Sequence, residues 1–264
     1  MLELEGGRTG LIWRDGNCVR RPAGPWTPTV HRFLRHLRRA GFSAAPMPLA
    51  LEEGEEIVSF VEGRVCEDLA DPATGSRAML ASAGALLRRF HDAARGFLET
   101  DPEEQLWMLP PREPRAIVCH GDFAPYNVVT AGEAAIGIID FDACHPAPAV
   151  WDLAYAVYRW APLSEPAQDG VAFGTEEQLR RARLFCDAYG ADEEDRRQLP
   201  DMIVERLGAL LDFMRARADA GDAAYAENVE AGHSDIYIRD LDYIGQNRDQ
   251  LLRALIDEPG HKPA

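Results

Sequence analysis

A chain of 264 residues with 46% apolar side chains suits one large domain or two small ones and is too apolar for disorder. Its formal charge of −16 is uneven: residues 1–46 carry eight arginines and three acids, the remainder 20 basic and 41 acidic side chains. An acidic body disfavours nucleic acid as a partner. No run of eighteen apolar residues spans a membrane, five scattered cysteines without C-x-x-C spacing fit a reducing cytoplasm, and Lys262 as the only lysine excludes a P-loop.

In chain order, "LELEGG", "GLIWRDG" and "NCVRRP" predict three short strands joined by Gly-rich or Asp-Gly turns. "TPTVHRFLRHLRRAGF" predicts a helix. Thr27 is its expected cap, Pro28 suits its first helical position, and Val30, Phe33, Leu34 and Leu37 form one apolar stripe. "MPLALEE" and "EIVSFVEG" predict a further hairpin. After Gly63 the pattern changes to long helices: "SRAMLASAGALLRRFHDAARGF", residues 150–161, "TEEQLRRARLFCDAYG" with a capping box from Thr175 to Gln178 and a stop at Gly190, residues 201–220, and residues 234–257 capped by Ser234. Before the second of these, "AIVCHGD" runs into a loop, and "NVVTAGEAAIGIIDFD" reads as a hairpin turning near Ala131-Gly132. The expected class is α+β, with a small strand-rich lobe over 1–62 and a larger, mostly helical lobe over 63–264.

Polar groups crowd around that last hairpin. "CHGDFAPYN" and "IDFD" bring His120, Asp122, Asn127, Asp140 and Asp142 beside apolar runs, where each needs a partner if buried. Turn chemistry accounts for a lone aspartate. It does not account for three acids and an amide gathered at one hairpin.

At these residues the sequence resembles the aminoglycoside phosphotransferase and choline kinase group, relatives of the protein kinases. "HGDFAPYN" and "IDFD" carry the resemblance, and "CVRRP", "VSFVEG", "LLRRFHDA" and "PAPAVWDLA" extend it over most of the chain. It implies a bilobal protein-kinase-like fold, with a nucleotide-binding lobe over 1–62 and the catalytic loop, metal site and substrate region over 63–264. The implied activity moves the γ-phosphate of ATP or GTP to a hydroxyl of a small molecule, with Mg²⁺ as cofactor. The spacing suits that chemistry, because phosphoryl transfer needs positioning and charge neutralisation more than covalent help. By resemblance Asp122 is the catalytic base or orienter, while Asn127, Asp140 and Asp142 are metal ligands. His120 and Asp152 support the loop structurally. Nucleotide contacts fall on Arg20, on Gly7 and Thr9 of the "GGRTG" turn, and on Glu62. Arg20 best matches the family's strand-three lysine and Arg21 is its neighbour; strand alternation turns one inward and the other outward. The helix that offers a glutamate to that cation in kinases presents Val30 or His31 instead. The expected partner is a neutral or cationic hydroxyl acceptor; the sequence does not set the oligomeric state.

Two other readings follow from the same residues. A metal-dependent hydrolase would use His120, Asp122, Asp140, Asp142 and His145 around one or two metals. A nucleotide-binding pseudokinase would account for the absent helix glutamate. Trp151, Tyr155 and Tyr158 at helical spacing read first as core, with a cation-binding pocket as the alternative. Asp212, Asp219, Asp222, Glu227 and Glu230 form either a solvated face or a wall toward a positive substrate.

Overall fold

The computed structural model describes residues 1–4, 12–52, 54–66, 68–101, 103–166 and 173–257. The "GGRTG" turn with Gly7 and Thr9 lies outside them. The N-terminal part is a five-stranded antiparallel sheet of β1 (Leu2–Leu4), β2 (Ile12–Asp15), β3 (Cys18–Pro22), β4 (Pro48–Glu52) and β5 (Glu55–Ser59), in the order β1-β2-β3-β5-β4. The helix α1 (Thr27–Arg39) lies between β3 and β4 in sequence. Its stripe of Val30, Phe33, Leu34 and Leu37 is buried, and its outer arginines end in a basic last turn that complements the helix dipole.

The C-terminal part holds β6 (Arg64–Val65), α2 (Arg77–Ala94), α3 (Phe97–Thr100), β7 (Ile117–Cys119), β8 (Val128–Ala131), β9 (Ala134–Ile138), β10 (His145–Ala147), α4 (Ala149–Trp160), α5 (Thr175–Tyr189), α6 (Glu193–Asp219), α7 (Ala223–Glu230) and α8 (His233–Ile256). Two small sheets, β10-β7 and β6-β8-β9, carry the polar cluster. One core runs through both parts. Phe33 of α1 stacks edge-on against Phe90 of α2 at 6.0 Å and against Phe97 of α3 at 5.2 Å. The junction near residue 62 is thus a change of secondary structure, not a gap in packing.

The expected hairpins and helices are present, but several helix starts differ. Thr27 lies inside α1, where its Oγ1 accepts the Gly24 N–H at 2.9 Å; the cap position is Trp26. Gly174 and Gly232 stand at the cap positions before Thr175 and Ser234. Gln178 makes no capping box. It is buried and donates to the carbonyls of Ser164 and Phe173, while Tyr243 ties Thr175 and Gln178 together through its hydroxyl. The helix expected over 201–220 begins at Glu193, because Asp192 and Asp195 form a reciprocal capping box and Pro200 is tolerated within it.

Helices α2 and α5 approach closely at Gly84. A Cβ there would lie 2.8 Å from the Phe185 carbonyl oxygen and 3.2 Å from the Ala188 Cβ. Gly84→Val should therefore cost about 1–3 kcal/mol through overpacking, read as a lower urea midpoint with an unchanged slope.

Candidate active site

The loop after β7 is held from below by one carboxylate. Asp152 of α4 is fully buried. Its Oδ2 accepts the His120 backbone N–H at 2.7 Å and His91 Nε2–H at 2.9 Å, and its Oδ1 accepts the Gly121 N–H at 3.0 Å. Burial opposes ionisation, but the His91 hydrogen bond, the nearby histidines and the backbone donor prevail and hold the carboxyl down to about 2. His91, Cys119 and Asp152 have ligand atoms within 4.8 Å of one another. Each is engaged within the protein. His91 Nδ1 meets the Tyr189 hydroxyl at 2.8 Å, and burial keeps the Cys119 thiol protonated, pointing at the Pro148 carbonyl.

Gly121 adopts φ +81°, and a Cβ would lie 2.2 Å from the Ala143 carbonyl oxygen, so only glycine fits. Arg206 of α6 donates to the Gly121 carbonyl at 2.6 Å. His120 is enclosed: Nε2 donates to the Ile139 carbonyl at 3.0 Å, and Nδ1 accepts the Asp122 N–H at 3.3 Å. It therefore links the loop to the strand leading to Asp140.

Asp122 is half-buried at the top of this turn. Tyr126 donates its hydroxyl to Oδ1 at 2.8 Å, and Asn127 Nδ2 donates to Oδ2 at 3.0 Å and to the Asp122 carbonyl at 2.9 Å. Burial holds the Tyr126 hydroxyl well above the usual phenol range, so it stays a donor. With its N–H groups on Asp122, the Asn127 side chain keeps an amide oxygen outside that contact. Asp140, just past β9, has φ +60°, a left-handed conformation that aspartate tolerates and that clusters at functional sites.

Arg21, not Arg20, reaches these acids. Its Nη1 lies 2.8 Å from Asp140 Oδ1 and its Nη2 3.1 Å from Asp142 Oδ1, while Nε bonds Glu56. Arg20 turns to the other face of the sheet, 3.6 Å from Glu55. Alternation foretold that the two would diverge; the phase follows from β3 pairing with β5, which sets Arg21 directly opposite Glu56. Burial opposes the Arg21 charge, but three carboxylates more than offset it. Burial first, then the like charge of Asp140, pushes Asp142 up to about 6 against the pull of Arg21.

Glu56 was not anticipated. It is 1% exposed and bonds both Arg21 and His31 Nε2, the latter at 2.9 Å. Its strand, EEIVS, carries two adjacent acids, and only the pairing of β3 with β5 shows that Glu56 faces Arg21. Glu62 lies after β5, exposed and paired with Arg14 at 2.7 Å.

Asp122 opens into a cleft built by α4, α6, α7 and α8. Tyr155, Phe213, Met214, Tyr225 and Tyr237 form its apolar wall, with Arg206, Asn228 and His233 as polar members. Trp151 and Tyr158 are core, as first read, while Tyr155 is buried yet borders the cleft. Asp212, Asp219, Glu227 and Glu230 are exposed and do not line it, and Asp222 pairs with Arg217. His145 is also spent structurally: Nδ1 donates to the Ala143 carbonyl at 2.9 Å, Nε2 accepts Trp151 Nε1–H at 3.0 Å, and burial lowers its pKa to about 4.

The brace can be separated from the chemistry. Asp152→Asn should lower folding stability by about 3–5 kcal/mol by breaking a buried charged network. Asp152 is depressed from 3.8, so its contribution is complete above that value and is lost as pH falls through about 2. Urea melts at several pH values should show a weaker acid dependence in the variant.

The sequence model of the "phosphotransferase enzyme family" matches residues 18–108 and 97–199. The trifolitoxin immunity protein of Rhizobium leguminosarum bv. trifolii is 32% identical over 210 residues, covering 76% of this chain and 78% of that protein. Among solved structures, the Plasmodium vivax ethanolamine kinase superposes with a TM-score of 0.62 at 13% identity, over 95% of this chain and 83% of that one. A choline/ethanolamine kinase family protein from Mesorhizobium loti gives 0.56 at 15% identity, over 91% of each chain. Among the described residues, no helix is long and apolar enough to cross a membrane. With the loop, the two-part α+β architecture and the sequence match in agreement, the chain belongs to the phosphotransferase enzyme family and has its kinase-like fold.

Proposed function

We propose that the protein is a small-molecule kinase that moves the γ-phosphoryl group of ATP or GTP to a hydroxyl of an acceptor seated in the cleft beside Asp122. The observation that carries this reading is the pairing of two features. One carboxylate, oriented on both oxygens by Tyr126 and Asn127, borders a cleft with an aromatic wall. On the hairpin that follows, an arginine fork faces two further carboxylates.

In this reading Asp122 receives or orients the acceptor's hydroxyl proton, and the Tyr126 hydroxyl and Asn127 amide keep its lone pairs aimed. Arg21 anchors phosphate oxygens through its two Nη groups, in place of Arg20. Asn127, Asp140 and Asp142 offer one amide and two carboxylate oxygens, a donor set that fits a hard divalent cation such as Mg²⁺. Bound there, the cation would neutralise charge on the transferring phosphate. Residues 1–62 form the nucleotide-binding lobe and 63–264 the catalytic and acceptor-binding lobe. Gly7 and Thr9 are proposed to cover the phosphates, and Glu62 to flank the base at the junction.

The acceptor is a small hydroxyl compound. The net charge of −16 favours a neutral or cationic one by encounter rate, although among the described residues the cleft adds no acid beyond Asp122. The Rhizobium relative is named for immunity to trifolitoxin and the structural neighbours for ethanolamine and choline/ethanolamine. Toxin-like compounds and amino alcohols are therefore the first acceptors to screen. A cytoplasmic site of action supplies the nucleotide. The hydrolase reading loses its histidines, because the ring nitrogens of His120 and His145 already bond within the protein. A pseudokinase has no need of a carboxylate held this closely.

With an acceptor found by acceptor-dependent release of nucleoside diphosphate, two variants separate the roles. Asp122→Asn should lower kcat by about 10²- to 10⁴-fold while Mg²⁺-nucleotide affinity, read by calorimetry, changes little. Asp140→Asn should weaken metal-dependent nucleotide binding itself. Equal loss of nucleotide affinity in both would sink the assignment of Asp122. Arg21→Ala should weaken nucleotide binding about tenfold or more, as loss of a charge-assisted contact of about 1.5–3 kcal/mol implies, and Arg20→Ala should be mild. The reverse order would return the phosphate to Arg20.

A further inference from the structure

We propose that Glu56 and His31 are a positioning pair that takes over from the glutamate missing in α1: Glu56 orients the Arg21 guanidinium for phosphate, and His31 holds Glu56. The proposal rests on the reading of Arg21 as the phosphate anchor.

The geometry divides the work cleanly. Arg21 and Glu56 are direct cross-strand partners on β3 and β5, so their side chains share one face of the sheet. Glu56 gives Oε1 to Arg21 Nε and Oε2 to His31 Nε2, the latter at 2.9 Å, and is nearly sealed from water. Each oxygen of a buried carboxylate thus has its own donor, the condition under which such a group can remain charged in an interior. Gripping Arg21 at Nε sets the plane of the guanidinium and leaves both Nη groups at its outer end. Those two groups are the ones that face Asp140 and Asp142. A fork fixed in plane loses less freedom when it takes up a phosphate than one on a loose side chain.

The same geometry explains the residue on α1. His31 is 3% exposed, and its ring nitrogen sits at hydrogen-bond distance from Glu56. A glutamate at that position would set a second carboxylate against the first, and like charges in one buried site resist joint ionisation. Once the acid comes from β5, the helix must supply a donor. His31 has no path to the phosphates of its own; it acts through Glu56 and then Arg21.

Three nucleotide affinities and one cycle test this, with thermal melting run on every variant. Glu56→Gln and His31→Leu should each raise the nucleotide Kd about tenfold, the scale of one lost charge-assisted hydrogen bond. His31→Gln keeps an N–H donor of similar reach and should recover most of what His31→Leu loses. In an Arg21→Ala background, His31→Leu should add less than about twofold, because its route to the nucleotide is already cut. Additive losses in that cycle, or a His31→Gln as weak as His31→Leu at equal melting temperature, overturn the pair. If His31→Leu does not fold, Glu56→Gln in both backgrounds decides the question, since wild-type affinity in Glu56→Gln, or a loss that adds in full to that of Arg21→Ala, is equally fatal. Should Arg21→Ala bind nucleotide as the wild type does, the anchor reading falls and the pair with it. If Arg21→Ala is impaired but the pair variants are not, only the pair is wrong.

Discussion

One buried carboxylate sets the position of the loop that carries Asp122. Asp152 accepts two consecutive backbone N–H groups and a histidine, and lies at the start of α4, beneath the turn that carries Asp122. Consecutive donors aimed at one carboxylate require the peptide planes to turn sharply. Gly121, in a conformation and a space closed to any side chain, makes that turn possible. Arg206 takes the carbonyl on the other side of the same glycine, so α4 and α6 both grip the turn. The loop is thus defined by buried hydrogen bonds rather than by its own propensity, and Asp122 inherits its orientation from them.

A second constraint is electrostatic. Arg21 crosses from the sheet to the β9 hairpin and gathers three carboxylates around one guanidinium. Asp140 and Asp142 are partly open to solvent and Glu56 is not. The inner contact is accordingly the one that determines where the arginine sits, while the outer two can exchange partners at smaller desolvation cost. The fold joins a rigid inner grip to an adaptable outer face.

Much of this was legible in the sequence. The His120–Asp122–Asn127 spacing and the following Asp140 identify the loop and hairpin, because side chains so close in sequence are placed by local turns alone. The apolar stripe of α1 marks a buried face for the same reason. What could not be read depends on pairing between distant segments. Alternation says that Arg20 and Arg21 diverge, but which one faces the hairpin depends on the register of β3 against β5, and Glu56 becomes visible as a partner only in that register. Likewise Thr27, Thr175 and Ser234 look like caps but lie inside their helices, Thr27 accepting the Gly24 N–H and Thr175 bonded by Tyr243. The cleft wall, drawn from α4, α6, α7 and α8, has no signature in any one segment.

The fold does not name the acceptor, since function resides in sites grafted on a scaffold. The central claim, however, is independent of the acceptor's name: phosphate goes to a hydroxyl compound and not to water. Phosphorus NMR of the wild-type protein with Mg²⁺, ATP or GTP and the best acceptor tests it most directly. The expected result is a new phosphomonoester resonance growing in step with nucleoside diphosphate, with little inorganic phosphate. Nucleotide consumed to inorganic phosphate alone, with no ester formed at saturating acceptor, would contradict the account.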